Sequence, residues 1–257
     1  MGLRQGLDEQ SREWAWRLRN RLTLSLPLWK RPLKQPVPGI DLPTSERLAR
    51  LRRDYPLARW GEVCSRAEWR ENLYILDLLD RHLGRPAAPI GPCLDIGTKN
   101  GVHFPALASY SGQGWDGIEL DAYRRYRNLA SRRDHGRFMA RPFASRYLSG
   151  SLLALHTPTR YRLITWFLPF ITEAPLAAWG LPRRFYQPVA LLTRAYELLD
   201  AGGTLLIVNQ GEWERQVQER LFTATGISAR DLGRMQSEFS PFRQPRYGWR
   251  VDKPTMN

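Results

Sequence analysis

Gly91 to Asp121 read GPCLDIGTKNGVHFPALASYSGQGWDGIELD, and the rest of the chain is organised around this stretch. Cys93 to Ile96 form a short apolar run interrupted by one acid and followed by a glycine, the profile of a buried strand that stops at a tight turn. Gly97 and Gly101 punctuate that turn. Val102 to Tyr110 are expected to be helical, with Pro105 in the first turn, where a missing N–H costs little. Trp115 to Leu120 form a second apolar run that ends in Glu119 and Asp121. Strand, glycine turn, helix, strand and acid make one βαβ nucleotide-binding unit. A carboxylate at the second strand tip suits the two hydroxyls of a ribose, because it accepts from both.

The turn has the form D-x-G-x-x-x-G, with Lys99 where a dinucleotide site needs a second glycine to let a pyrophosphate approach. That favours a ligand without phosphates. On these residues the chain resembles the class I S-adenosylmethionine-dependent methyltransferases over roughly residues 90 to 225. The resemblance implies an α/β, Rossmann-like fold: a mostly parallel seven-stranded sheet with helices on both faces and an N-terminal helical extension. It implies S-adenosylmethionine as cofactor, with Asp95 and Gly97 under the methionine part and Glu119 on the ribose. Thr98, Gly101 and Leu120 flank the same site. A second match lies about a hundred residues downstream, where L-L-x-x-G-G-T-L-L-I-V closes a helix and opens the fifth strand (Leu198 to Val208).

Between these matches, Ala122 to Ser131 are expected to be helical and Arg137 to Ala140 to form a third strand. The family usually places a carboxylate or amide after that strand for the adenine amino group. No Asp or Glu stands between Asp134 and Glu173, and Arg141-Pro142-Phe143 takes that place, with Phe143 as a stacking candidate. Tyr161 to Phe167 are the fourth strand, and Trp166 at its end is placed with the cofactor. Leu168-Pro169-Phe170 lack the acid or Asn and the second proline of base-amino methyltransferases, and there is no Pro-Cys nucleophile for cytosine C5. Candidate catalytic groups are His103 after the glycine loop, and Glu173 and Glu212 after the fourth and fifth strands. No metal-ligand spacing and no G-x-S-x-G elbow is present in the sequence.

The formal net charge is +14, nearly all of it Arg, which points to anionic partners or to the bias of a high-GC genome. Two cysteines make no disulfide scaffold and favour a reducing, cytoplasmic setting. Residues 1–40 read as a basic leader. Trp14, Leu18, Leu22 and Leu26 share one helix face, Arg12, Arg17, Arg19 and Arg21 crowd the others, Pro27 ends the pattern, and Pro32, Pro36 and Pro38 make a linker. Such a helix, over residues 11–30, can lie on an anionic membrane at its inner face, cap its own protein or bind RNA. Residues 41–88 are expected to form a helical extension and 89–257 the α/β domain. Trp60 and Tyr74 are either core or pocket lining. A small-molecule or envelope-related acceptor is the leading partner. A non-catalytic module binding membrane or nucleic acid, and an RNA methyltransferase, stay open beside it.

Overall fold

The computed structural model describes residues 2–26, 28 and 45–255. Helix α1 (Gly2–Arg21) leads into α2 (Glu46–Asp54) and α3 (Arg66–Leu83). The sheet then alternates with helices: β1 (Cys93–Ile96), α4 (Phe104–Ser111), β2 (Asp116–Glu119), α5 (Arg132–Ala140), β3 (Arg146–Ser149) and β4 (Tyr161–Phe167). The rest comprises α6 (Glu173–Ala178), α7 (Pro188–Leu198), β5 (Leu199–Gln210), α8 (Gly211–Thr225), β6 (Arg230–Arg234) and β7 (Arg246–Asp252).

The strands form a single sheet in the order β3-β2-β1-β4-β5-β7-β6. β1 to β5 are parallel, and β7 runs antiparallel to both β5 and β6. This is the mostly parallel, seven-stranded Rossmann-like sheet that the resemblance implies. The chain builds outward from β1 to β3, then returns to the other side of β1. Such a reversal opens a crevice at the carboxyl ends of the strands.

Both faces are covered, which is why the strands read as apolar runs. Side chains alternate along a strand, so Cys93 and Asp95 face one way and Leu94 and Ile96 the other. On the first face Cys93, Leu163, Leu206 and Val208 share a core with Leu51, Trp60, Leu76 and Phe104. The helices of 45–83 therefore pack into the same core as the sheet. On the second face Leu94, Ile164 and Ile207 pack with Leu192, Leu198 and Phe222. Trp60 is fully buried and donates from Nε1 to Ser109 Oγ at 3.0 Å, a core role rather than a pocket wall.

Two expected elements differ. Residues 122–131 form turns closed by a bridge between Arg125 and Ser131, not a helix. Residues 137–140 belong to α5, not to a strand. The overlooked signal is Ser131-x-x-Asp134, a capping box with both reciprocal bonds made, which starts the helix at Arg132. The third strand is consequently Arg146–Ser149. The sequence places a tight turn at residues 200–203 and the fifth strand over residues 204–209; β5 instead starts at Leu199 and takes in 200–203 across a register shift against β4. In the leader, Pro27, Pro32, Pro36 and Pro38 lie outside the described residues. Among the described residues no helix is long and apolar enough to cross a membrane.

Candidate functional site

β1 delivers Asp95 to the carboxyl edge of the sheet. Its Oδ1 accepts from Thr165 Oγ1 at 2.8 Å across β4, while Oδ2 has no partner although the residue is 1% exposed. Burial pushes this carboxyl up, against the opposing pull of His103, Thr165 and Thr98. An oxygen that is buried and unpaired is costly unless something else satisfies it. The Thr98 hydroxyl beside it is buried and likewise lacks a well-aligned partner. Gly97 turns the chain at φ 72°, and a Cβ built there would meet nothing within 4 Å, so the space above it is open. Gly101, at φ 71°, lets the chain turn into α4. Lys99 holds a left-handed φ of 55° without being glycine.

Glu119 closes β2. Asp95 is in register with Gly117, so Glu119, two residues on, lies on the same face of the sheet as Asp95. Its Oε2 accepts from the Lys99 N–H at 2.9 Å and its Oε1 from the Asp121 N–H at 2.8 Å. Arg132 Nη1 stands 3.5 Å from Oε1. Burial pushes the Glu119 carboxyl up, opposed by Arg132 and the two amides. Two oxygens offer about four acceptor sites, so two amides leave capacity for hydroxyl donors. Leu120 is half-buried in the turn that follows.

Above this end of the sheet, Arg132 stacks on the Trp179 ring at 4.5 Å, Trp179 meets Phe170 edge-on at 5.6 Å, and Arg124 donates to the Trp179 carbonyl. The segment after β4 thus arches over the tip of β2. Leu168, the first residue beyond β4, is 39% exposed at a φ of 56° and donates its N–H to Val208 O at 2.8 Å.

His103 precedes α4 and reaches the same edge. Its Nε2 lies 3.0 Å from Glu71 Oε1 of α3, and its ring meets Phe167 edge-on at 5.4 Å. Burial alone would raise the Glu71 carboxyl, but the His103 bond and charge and the Lys99 charge hold it below its ordinary range. Glu71 carried no signal in the sequence, because only tertiary packing brings α3 to the glycine loop.

The remaining candidates make other contacts. Glu173 pairs with Arg183 at 2.9 Å and Glu212 with Arg215 at 2.6 Å, both as exposed ion pairs. Trp166 is buried in the second core, on the face opposite Asp95. Phe143 precedes β3, and β3 runs parallel to β2, so Phe143 is at the amino end of the sheet and cannot stack on a ligand at the carboxyl edge. The residues that do leave β3 there are Gly150 and Ser151.

α1 lies across this region as a strap. Arg19 pairs with Asp121 at 3.2 Å, Glu13 with Arg184 at 2.8 Å, Glu9 accepts the Arg183 N–H at 2.6 Å, and Trp16 meets Phe185 at 4.9 Å. The helix therefore spans from the tip of β2 to the segment after α6. Trp14 and Leu18, 66% and 41% exposed, point away from these contacts.

No protein-family model and no curated protein matches the chain. Solved structures resemble it at low identity. The N-methyltransferase NodS from Bradyrhizobium japonicum is 11% identical over 73% of this chain and 96% of that chain, with a TM-score of 0.48. A SAM-dependent methyltransferase from Aquifex aeolicus is 13% identical over 71% and 92%, with a TM-score of 0.49. A SAM-bound amino pentose methyltransferase from Micromonospora echinaspora is 13% identical over 70% and 90%, with a TM-score of 0.45. The fold assignment stands on the strand order and register of the chain itself.

Proposed function

We propose that this chain is an S-adenosylmethionine-dependent methyltransferase acting on a small or envelope-related acceptor. The observation that carries the reading is the unpaired, buried Asp95 Oδ2 beside the open space over Gly97. A ligand ammonium is the natural partner for that oxygen, since a charge-assisted bond satisfies the acceptor and offsets its burial. Glu119 has acceptor capacity left for ribose hydroxyls. The residues present fit the cofactor at both ends, and nothing in the glycine loop is built for a pyrophosphate.

When bound, the cofactor supplies an electrophilic methyl group on a sulfonium. The protein's share is to position the acceptor, exclude water and accept a proton. His103, held by Glu71, is the proton acceptor in this reading, for an oxygen or protonated nitrogen nucleophile. Phe167, Phe170 and Trp179 form the apolar wall on the acceptor side. The α1 strap closes the site from above, in preference to the membrane role open to its sequence.

A second reading has one observation in its favour. Glu119 is already served by two backbone amides and Arg132, which suits a non-catalytic module whose pocket has sealed itself. Isothermal titration with S-adenosylhomocysteine separates the two. Binding that weakens at least tenfold in Asp95→Asn supports the enzyme; no heat at millimolar ligand with the native chain rejects it.

A further inference from the structure

Arg246 opens β7 and pairs with Gln210, so it too stands at the carboxyl edge, three strands along from Asp95. It is 6% exposed, its Nη1 has no partner, and it makes no ion pair among the described residues. Tyr74 of α3 is 2% exposed, and its hydroxyl is also unpartnered. Both touch one ring: the Arg246 guanidinium lies 4.6 Å from the centre of Phe242, and Tyr74 meets it edge-on at 5.4 Å. Phe242 sits on the irregular segment between β6 and β7 and is half-buried, a cover over both groups. Burial pulls the Arg246 guanidinium below its ordinary range and pushes the Tyr74 hydroxyl up to about 12. The carboxylate whose charge reaches Arg246 is Glu214, but its Oε2 is taken by the Gln210 N–H at 2.8 Å and burial raises it as well.

A buried guanidinium without a carboxylate is destabilising, and a planar fork of donors matches oxyanions in two-point geometry. Cation–π contact with Phe242 offsets only part of the lost hydration. We propose that Arg246 and Tyr74 form an oxyanion subsite that holds a carboxylate or phosphate group of the methyl acceptor. The identification of the ligand as the acceptor rests on the methyltransferase reading; the oxyanion site itself does not. His103 stands against Phe167 on β4, and β7 is two strands further on. At about 4.8 Å per strand, the anionic group lies roughly 10 Å from the reacting atom. The acceptor is then an elongated small molecule with its negative end away from the methylated end.

The test uses the full chain at constant low ionic strength, with inorganic phosphate and benzoate as separate probes read by isothermal titration and thermal melting. Arg246→Met is expected to weaken the preferred probe at least tenfold, Tyr74→Phe two- to fivefold, and Arg127→Met, an exposed arginine, not at all. Preference for phosphate or for benzoate identifies the headgroup. In the absence of probe, Arg246→Met is expected to melt no lower than the native chain. Equal probe affinity in the native chain and Arg246→Met, or no probe binding by the native chain, overturns the proposal and leaves Arg246 as a stacking residue for Phe242. If Arg246→Met does not fold, Arg246→Gln and Tyr74→Phe give the same reading. Parallel titration with S-adenosylhomocysteine keeps the two ideas apart: its failure in the native chain removes the methyltransferase reading, while the phosphate and benzoate data still decide the subsite.

Discussion

Tyr74, Asp77 and Asp80 follow one another along successive turns of α3, and two arginines near them, Arg47 half-buried and Arg246 buried, have opposite surroundings. Arg47 lies against Asp77 at 2.5 Å and Asp80 at 2.7 Å, and Asp80 also accepts from the Tyr55 hydroxyl at 2.6 Å. Burial alone would lower the Arg47 guanidinium, yet the two carboxylates raise it. Arg246 has a phenol and an aromatic ring nearby, no ion pair, and is lowered by burial. One arginine completes the fold. The other is a charge held ready, as Asp95 is three strands away on the same edge. The contrast teaches that burial of a charge is no measure of its role; whether its partner belongs to the chain is.

The strongest test of that contrast is Arg47→Met. It removes a guanidinium shared by two buried carboxylates, of which Asp77 keeps Arg81 and Asp80 keeps the Tyr55 hydroxyl, and is expected to cost about 3 kcal/mol in urea unfolding, the upper end for hydrogen bonds to charged groups. The ready charges behave differently: Asp95→Asn is expected to leave unfolding nearly unchanged and to weaken S-adenosylhomocysteine by about 2 kcal/mol, roughly thirtyfold. A large stability loss in Asp95→Asn would place it with Arg47 and break the division.

pH sharpens the same comparison through opposite signs. Burial alone would raise the Asp80 carboxyl, but the Tyr55 and Arg47 bonds bring it below its ordinary value. Its stabilisation is therefore complete above the unfolded aspartate range and is lost as pH falls through the lowered folded value. Burial raises Asp95, so the folded state binds its proton more tightly than the unfolded state. Its contribution therefore falls as pH rises from the unfolded value through the raised folded value. A ligand ammonium reverses this, because it favours the ionised form. Cofactor-analogue affinity is expected to rise with pH over that window with proton release, measurable by titration in buffers of different ionisation enthalpy. Affinity independent of pH in the native chain would remove Asp95 from the ligand's contacts. The smallest effect concerns the strap: Trp16→Ala is expected to cost about 1 kcal/mol, seen as faster hydrogen exchange confined to α1.

The placing of two carboxylates and a glycine turn on one edge was legible in the sequence because local chemistry builds it. Asp95, Gly97 and Glu119 occupy strand tips and a turn whose backbone needs are written within thirty residues. The shifted third strand was missed because Arg137 to Ala140 look apolar enough for a strand, while the capping pair Ser131 and Asp134 decides for a helix. That shift displaced Phe143 to the wrong end of the sheet. Glu71 and Arg246 were illegible, and Tyr74 legible only as core or pocket lining, for another reason: they come from segments some 170 residues apart, and only tertiary packing through Phe242 and His103 brings them to one edge. The leader was half legible. Its Trp14 and Leu18 stripe stood out as apolar, yet Trp16, Glu9, Glu13 and Arg19 make the contacts.

Leu168 carries a consequence for anyone who wishes to harden this protein. A leucine in the left-handed region pays roughly 1–2 kcal/mol that glycine would not, and with over a third of its surface in water it recovers little of that by packing. Glycine would relieve that strain but enlarge the unfolded chain's freedom and lose the leucine's remaining packing, so Leu168→Gly is expected to shift stability by less than about 1 kcal/mol, and the lip beyond β4 is a place where backbone strain and side-chain bulk are held together.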